Sequence, residues 1–109
     1  MVDEAVVRAV QRYLRALQGL GLPVGFSVLF GSRARGSTDV WSDIDLLVIS
    51  PQFDDSIVRK DVDLLWRTAA RTDNRIEPVP CGQRQWLEDD GSAIIEIARR
   101  EGMRIDIPG

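Results

Sequence analysis

The sequence has no histidine and a single cysteine among its 109 residues. The missing histidine excludes histidine-based acid–base catalysis and the usual zinc sites. Cys81 has no second cysteine to pair with, so no disulfide forms within the chain, and we expect it to be a free, structurally incidental thiol. Candidate catalytic and binding residues are therefore sought among the carboxylates and arginines.

The sequence also lacks a long apolar run and an excess of positive charge. No stretch reaches the roughly 18 apolar residues of a membrane span. Asp3 and Glu4 stand where a signal peptide has basic residues, so a cytoplasmic protein without membrane contact is expected. The net charge of -3 argues against broad, charge-driven binding to nucleic acid, although a local positive patch is compatible with it.

Length and composition fit one compact domain. Hydrophobic residues make up 44% of the chain and charged residues 28%, as is typical of soluble domains. A chain of this size buries a core but has no room for a separate substrate-binding domain. We therefore expect residues 1–109 to form a single domain.

Helical and extended patterns along the chain predict an α/β (α+β) fold, a small mixed sheet with helices packed against it. Apolar residues at helical spacing predict helices over residues 3–18, 54–71 and 92–100 and a helical turn over 83–88. Extended apolar runs predict strands over 24–30, 44–49, 76–79 and 103–107. Two prolines place the third strand at a sheet edge or end it early.

The helix predictions include caps and buried faces. Asp3 is expected to cap the first helix and Ser92 the last. Asp61 and Asp63 belong to no ligand spacing and are expected in solvent. The residues predicted to face the interior are Val58, Val62, Leu65, Ala69, Trp86, Leu87, Ile94, Ile97 and Ala98.

Two aspartates stand at the start of the second predicted strand. Side chains two apart on a strand share a face, and a rise of roughly 3.3 Å per residue separates the Cα atoms of Asp43 and Asp45 by about 6 to 7 Å. Their carboxylates therefore converge, as suits Mg²⁺ in the transfer of phosphoryl or nucleotidyl groups. An isolated Asp-x-Asp pair, however, more often lies in water at a frayed strand end.

A glycine-rich turn precedes the two aspartates. At Gly31, Ser32 and Gly36 a sharp turn frees backbone N–H groups that can cradle a phosphate. Arg33 and Arg35 add fork-shaped donors for phosphate oxygens, although either arginine alone is most often a solvated charge. The glycine-rich turn can bind phosphate and the nearby aspartate pair can bind a metal ion. Together they predict a site for a nucleoside triphosphate.

Two motifs carry a family resemblance: GSRARG at residues 31–36 and SDIDL at residues 42–46. Together they resemble the GSxxxG…DxD signature of the DNA polymerase β-like nucleotidyltransferase superfamily, and most closely its minimal nucleotidyltransferase (MNT) domains. The order of elements extends the resemblance over most of the chain. The resemblance implies the nucleotidyltransferase fold.

The resemblance also implies a carboxylate site for Mg²⁺. Asp43 and Asp45 would bind the metal, and Glu77 matches by its order the family's third carboxylate, a metal ligand or the catalytic base. The family usually has aspartate there. The longer Glu77 side chain would keep this function with a different reach or would weaken catalysis, and an exposed glutamate at a sheet edge is the alternative.

The remaining site residues follow from the same resemblance. Gly31 and Ser32 would hold the β- and γ-phosphates, and Arg33 or Arg35 would neutralise the leaving pyrophosphate. Ser42 would form a hydrogen bond near the metal or simply start the strand.

The implied reaction moves a nucleoside monophosphate, with ATP as the favoured donor, onto an acceptor hydroxyl. MNT proteins resemble the antitoxins of two-component pairs whose partners are HEPN-domain ribonucleases, so a partner protein is the expected acceptor. The alternative is a catalytically weak or inactive nucleotide-binding module that neutralises its partner by contact. A chance motif in an unrelated α/β protein is the third possibility.

Overall fold

The structure is a computed structural model that describes residues 3–31, 42–88 and 91–107. Helices and strands alternate along these residues and confirm the predicted α/β class. The elements in chain order are α1 (Glu4–Gly19), β1 (Phe26–Phe30), β2 (Ile44–Ser50), a 3₁₀ turn (Pro51–Phe53), α2 (Arg59–Thr72), β3 (Ile76–Gly82), α3 (Gln83–Glu88), α4 (Ala93–Glu101) and β4 (Met103–Ile105). No helix among the described ranges is long and apolar enough to cross a membrane.

The strands of the described residues form one mixed sheet in the order β3-β2-β1-β4. β1 is antiparallel to β2 and β4, whereas β3 runs parallel to β2. β2 is thus paired on both sides, and every residue in it except Asp45 is buried. β3 is an edge strand as predicted, which explains how it accommodates Pro78 and Pro80 without their N–H groups.

Two hydrophobic clusters cover the two faces of the sheet. The alternation along β2 directs Leu46 and Val48 into the cluster formed with α1 and α2, and Leu47 and Ile49 into the cluster formed with α4. Asp45 is separated from Leu47 and Ile49 by even numbers of residues, so the three side chains point to the same face of the sheet. Its side chain therefore lies on the α4 face, at the end of the sheet where β2 begins.

The helix caps agree with the sequence predictions. The Asp3 side chain accepts a hydrogen bond from the Ala5 backbone N at 2.9 Å, and Ser92 accepts one from Ile95 N at 3.4 Å. These bonds satisfy backbone donors at the starts of α1 and α4 that no helical carbonyl can reach.

The predicted start of the second helix is wrong, because α2 begins only at Arg59. Asp54 and Asp55 instead bind Arg84, whose backbone N lies 3.0 Å from Asp54 Oδ1 and whose Nη2 lies 3.1 Å from Asp55 Oδ1. Val58 is consequently 47% exposed instead of buried. Asp61, expected in solvent, is buried and accepts a hydrogen bond from Gln52 Nε2 at 3.0 Å.

Two predicted interior residues also point outward. Leu87 is 76% exposed, because its neighbour Trp86 takes the inward position of α3 against Phe26. In α4 the buried pair is Ile95 and Ala98, three residues apart, which turns Ile94 to solvent. Successive residues of a helix are offset by roughly 100° around its axis, so a shift in phase by one residue explains each error.

Candidate active site

Three strand ends meet at one end of the sheet. β1 finishes there, whereas β2 and β3 begin there. The register places Asp45 between Phe30 of β1 and Glu77 of β3. Asp43 is exposed and directly precedes β2, and its charge acts on both Asp45 and Glu77. The structure thus brings together the three carboxylates selected from the sequence.

The three carboxylates interact directly. The Glu77 carboxyl group lies close enough to those of Asp43 and Asp45 for their charges to act on one another. Burial raises the pKa of Glu77, and the negative charges of the two aspartates raise it further. The pKa of Asp45 is raised by burial and then by the charge of Asp43, while the hydrogen bond with Glu77 opposes this shift. Like charges this close require either a shared proton or a cation.

Gly31 brings the backbone directly against this cluster. Its φ of +75° lies in the left-handed region that favours glycine. A Cβ atom at this position would overlap Oδ2 of Asp45 and would lie 3.3 Å from its Cγ. The turn after β1 therefore requires glycine on two independent grounds, and its main chain borders the Asp45 carboxylate.

A hydrogen-bonded turn formed by Asp73 and Arg75 aligns the start of β3 with the start of β2. Arg75 donates from Nε to Asp73 Oδ1 at 2.9 Å and from Nη2 to Oδ2 at 2.6 Å, and its backbone N donates to Oδ1 at 3.0 Å. The Arg75 carbonyl accepts a hydrogen bond from the backbone N of Ile44 at 2.8 Å. Ile44 lies between the two aspartates, so this turn helps to set Glu77 opposite Asp45.

The sequence analysis missed the Asp73–Arg75 turn. Its signal is an aspartate two residues before an arginine, directly ahead of a predicted strand. Aspartate commonly accepts a hydrogen bond from the backbone two residues later. The side-chain hydrogen bond from Arg75 lowers the pKa of Asp73, and the same bond raises the pKa of Arg75.

The carboxylates fit a hard cation by their chemistry. Within the described part of the chain, no three His, Cys, Asp or Glu side chains are arranged to hold a metal ion by themselves. Mg²⁺, however, is commonly bound by one or two carboxylates together with substrate phosphates and waters. Asp43 and Asp45 supply such a pair, and Glu77 supplies a further oxygen donor beside it.

Four further predicted site residues are Ser42, Ser32, Arg33 and Arg35. Ser42 is half-buried and directly precedes Asp43. Ser32, Arg33 and Arg35 lie outside the described residues, so their roles stay predictions.

Comparison with known proteins identifies a family. Residues 8–97 match the sequence model of the nucleotidyltransferase domain. A comparison with curated proteins gave no significant match.

Solved structures share the fold. A protein from Sulfolobus solfataricus described as a nucleotidyltransferase is 14% identical, with a TM-score of 0.65 over 90% of this chain and 77% of its own. A toxin–antitoxin structure with AMP-PNP is 19% identical, with a TM-score of 0.61 over 90% and 73% of the two chains. A MntA–HpeT toxin–antitoxin mutant is 16% identical, with a TM-score of 0.59 over 89% and 72%.

Proposed function

The chain belongs to the nucleotidyltransferase domain family, and from this premise we propose that it transfers AMP from ATP to an acceptor hydroxyl with release of pyrophosphate. The observation that carries the proposal is the cluster of Asp43, Asp45 and Glu77 against the Gly31 turn. One structural neighbour is a toxin–antitoxin assembly with the ATP analogue AMP-PNP, which supports an adenine nucleotide as donor.

The chain's own residues divide the work. Asp43 and Asp45 would hold Mg²⁺ together with the phosphates of ATP, and Glu77 would add a further oxygen ligand once they are bound. When bound, the metal neutralises phosphate charge and orients the reacting oxygens. Glu77 is also the candidate proton acceptor for the acceptor hydroxyl, because it lies opposite Asp45 in the sheet, beside the carboxylates that would hold the metal.

The phosphates of ATP would lie along the turn after β1. Gly31, which lacks a side chain, allows them to approach its main chain beside the Asp45 carboxylate. Ser32 would hold the β- and γ-phosphates with this turn, and Arg33 or Arg35 would neutralise the leaving pyrophosphate.

We further propose that the acceptor hydroxyl belongs to a partner protein, a HEPN-type toxin, so that the chain acts as an antitoxin. The support is that structural neighbours, including MntA–HpeT, are toxin–antitoxin complexes. Transfer of AMP would add a phosphodiester-linked nucleotide to the toxin and thereby inactivate it.

The donor site is tested by calorimetric titration of ATP with Mg²⁺ into the wild type and the double variant Asp43→Asn, Asp45→Asn. We expect the variant to bind MgATP at least about tenfold more weakly, because each substitution removes a charged metal ligand. The matched control is Asp55→Asn, Asp63→Asn, which removes the same charge from exposed side chains and should bind like the wild type. EDTA should abolish tight binding, and undiminished MgATP binding by the Asp43, Asp45 variant would contradict the assignment.

The transfer step is tested with a co-expressed HEPN-domain protein as acceptor. Label should move to the acceptor from ATP labelled at the α-phosphate and not from ATP labelled at the γ-phosphate. The Asp43, Asp45 variant should lose at least about 100-fold in rate, because removal of transition-state charge stabilisation costs this much or more. MgATP binding and toxin neutralisation without label transfer would favour the contact-only module instead.

A further inference from the structure

Positive charge is concentrated on two helices that lie on the sheet face opposite to the three carboxylates. α1 contains three arginines and one glutamate, and α2 contains three arginines, one lysine and two aspartates, so each helix carries a net charge of +2. Since the whole chain carries -3, the remaining residues carry -7. The helix pair is thus a basic surface on an acidic protein.

Arginines line two concavities on this helix pair. One, of about 360 Å³, follows α1, and the other, of about 160 Å³, lies where the end of α1 meets α2. The second also contains Leu20, Leu64 and Thr68. We use the name arginine surface for Arg8, Gln11, Arg12, Arg15, Arg67 and Arg71.

Contacts between the helices place these arginines along one seam. Tyr13 of α1 donates a hydrogen bond to the Leu65 carbonyl of α2 at 2.9 Å. Arg12 is close enough to Asp73, the residue after α2, to add to the lowering of its pKa that Arg75 mainly causes. At the other end of α1, Leu20 lies beside Arg67.

Few carboxylates of the described residues neutralise the guanidinium charges of the arginine surface. Arg8 pairs with Glu4 at 3.6 Å, but the Glu4 side chain is 90% exposed and such surface pairs are weak. Arg15 and Arg71 make no ion pair with any of the described residues. These side chains are accessible to charged groups of another molecule.

We infer that the arginine surface docks an acidic amphipathic helix of a partner protein. Guanidinium forks bind carboxylates in pairs, and Leu20, 55% exposed, offers an apolar contact at one end of the seam. Helices that bind in grooves combine apolar anchors with charges in this way. The described residues that line the two concavities include no aromatic side chain, whereas sites for single-stranded nucleic acid stack bases on aromatic rings.

The test is fluorescence anisotropy with a labelled amphipathic peptide of about 18 residues built from Glu and Leu at helical spacing. A peptide of the same composition in scrambled order and a single-stranded RNA of similar length serve as competing probes. The variant Arg15→Glu, Arg67→Glu reverses charge on both walls of the seam. The control variant Arg59→Glu, Arg100→Glu makes the same charge change at exposed helix positions that do not line it.

We expect the ordered peptide to bind the wild type and the control alike, and to bind the arginine-surface variant at least about tenfold more weakly. Raising the salt concentration should weaken binding to the wild type. Three results would overturn the inference: no saturable binding of the ordered peptide, equal losses in both variants, or tighter RNA binding lost in the same variant. MgATP titration of the arginine-surface variant keeps this result separate from the proposed activity, because the seam lies on the opposite sheet face from the carboxylates.

Discussion

At Gly31 the main chain passes so close to the Asp45 carboxylate that an added Cβ atom would have to displace it. The same residue has a backbone conformation that other residues adopt only with strain. Gly21 allows the effect of backbone conformation to be separated from the effect of close contact. It also has a positive φ, of +96°, but no atom lies within 4 Å of a Cβ added there.

Gly31→Ala should therefore destabilise the protein by about 2 to 4 kcal/mol, the sum of backbone strain and overlap with Asp45. Gly21→Ala, which introduces strain without overlap, should cost only about 1 to 2 kcal/mol. Urea unfolding measures both losses. Calorimetry should show weaker MgATP binding for Gly31→Ala alone, and equal effects of the two substitutions would contradict the close approach described for Gly31.

Individual residues were predictable from the sequence where local rules decide their position. The closeness of Asp43 and Asp45 was predicted from strand periodicity, although Asp43 directly precedes β2 and only Asp45 lies within it. The position of Glu77 was not, because its place opposite Asp45 depends on the register of β3, and only the family resemblance pointed to it. Asp61 was misplaced because its partner Gln52 lies in a turn formed nine residues earlier.

Among the structural elements, the Asp73–Arg75 turn joins the starts of two strands that carry site residues, β2 and β3. It connects α2 with β3, and its Arg75 carbonyl holds the Ile44 amide between the two aspartates. The Asp73 side chain is only 12% exposed, so its bonds with Arg75 are partly shielded from solvent.

Asp73→Asn should reduce the free energy of unfolding by about 1 to 2 kcal/mol at pH 7, because a charge-assisted hydrogen bond is lost. The pKa of Asp73 is lowered in the folded protein, so its contribution is present above the ordinary value of 3.8 and is lost as pH falls through the lowered folded value. The difference between variant and wild type should therefore shrink as the pH is lowered below about 4.

The matched control is Asp106→Asn. Asp106 also pairs with an arginine two residues away, Arg104, at 2.8 Å, but both side chains are more than half exposed. Its loss should cost less than about 0.5 kcal/mol. Chemical denaturation across the pH range measures both variants, and a pH-independent loss for Asp73→Asn would rule out the proposed charge contribution.

Helices and strands were largely predictable, and their errors share a cause. The caps at Asp3 and Ser92 form hydrogen bonds with backbone N atoms two and three residues later, so the local sequence is enough to predict them. The segment that would otherwise extend α2 at its start contains Asp54, which binds Arg84 thirty residues later in the chain. Long-range contacts of this kind have no local sequence signal.

For the molecule as a whole, β2 is the central element. It is paired on both sides and covered by a hydrophobic cluster on each face, whereas β4 is a three-residue edge strand. The α/β class followed from the alternating patterns, but the strand order and the parallel pairing of β3 did not, because chain order alone does not choose between the two neighbours of a strand.

Amide hydrogen exchange followed by NMR should separate these strands. The amides of Leu47 and Val48 should exchange at least about 100-fold more slowly than that of Arg104, because they require larger-scale opening of the fold. Comparison within one spectrum removes differences in sample conditions, after correction for intrinsic exchange rates. Similar protection of the two strands would contradict the central position of β2.

The two prolines of β3 also have a consequence for encounters between protein molecules. Pro78 and Pro80 pair with β2 opposite Leu46 and Val48 and are two residues apart, so their ring nitrogens face the same way, outward from the sheet. An incoming strand from another chain would meet this border at two positions with no N–H to donate. The prolines that β3 accommodates therefore protect this border of the sheet from edge-to-edge aggregation at the side where Glu77 lies.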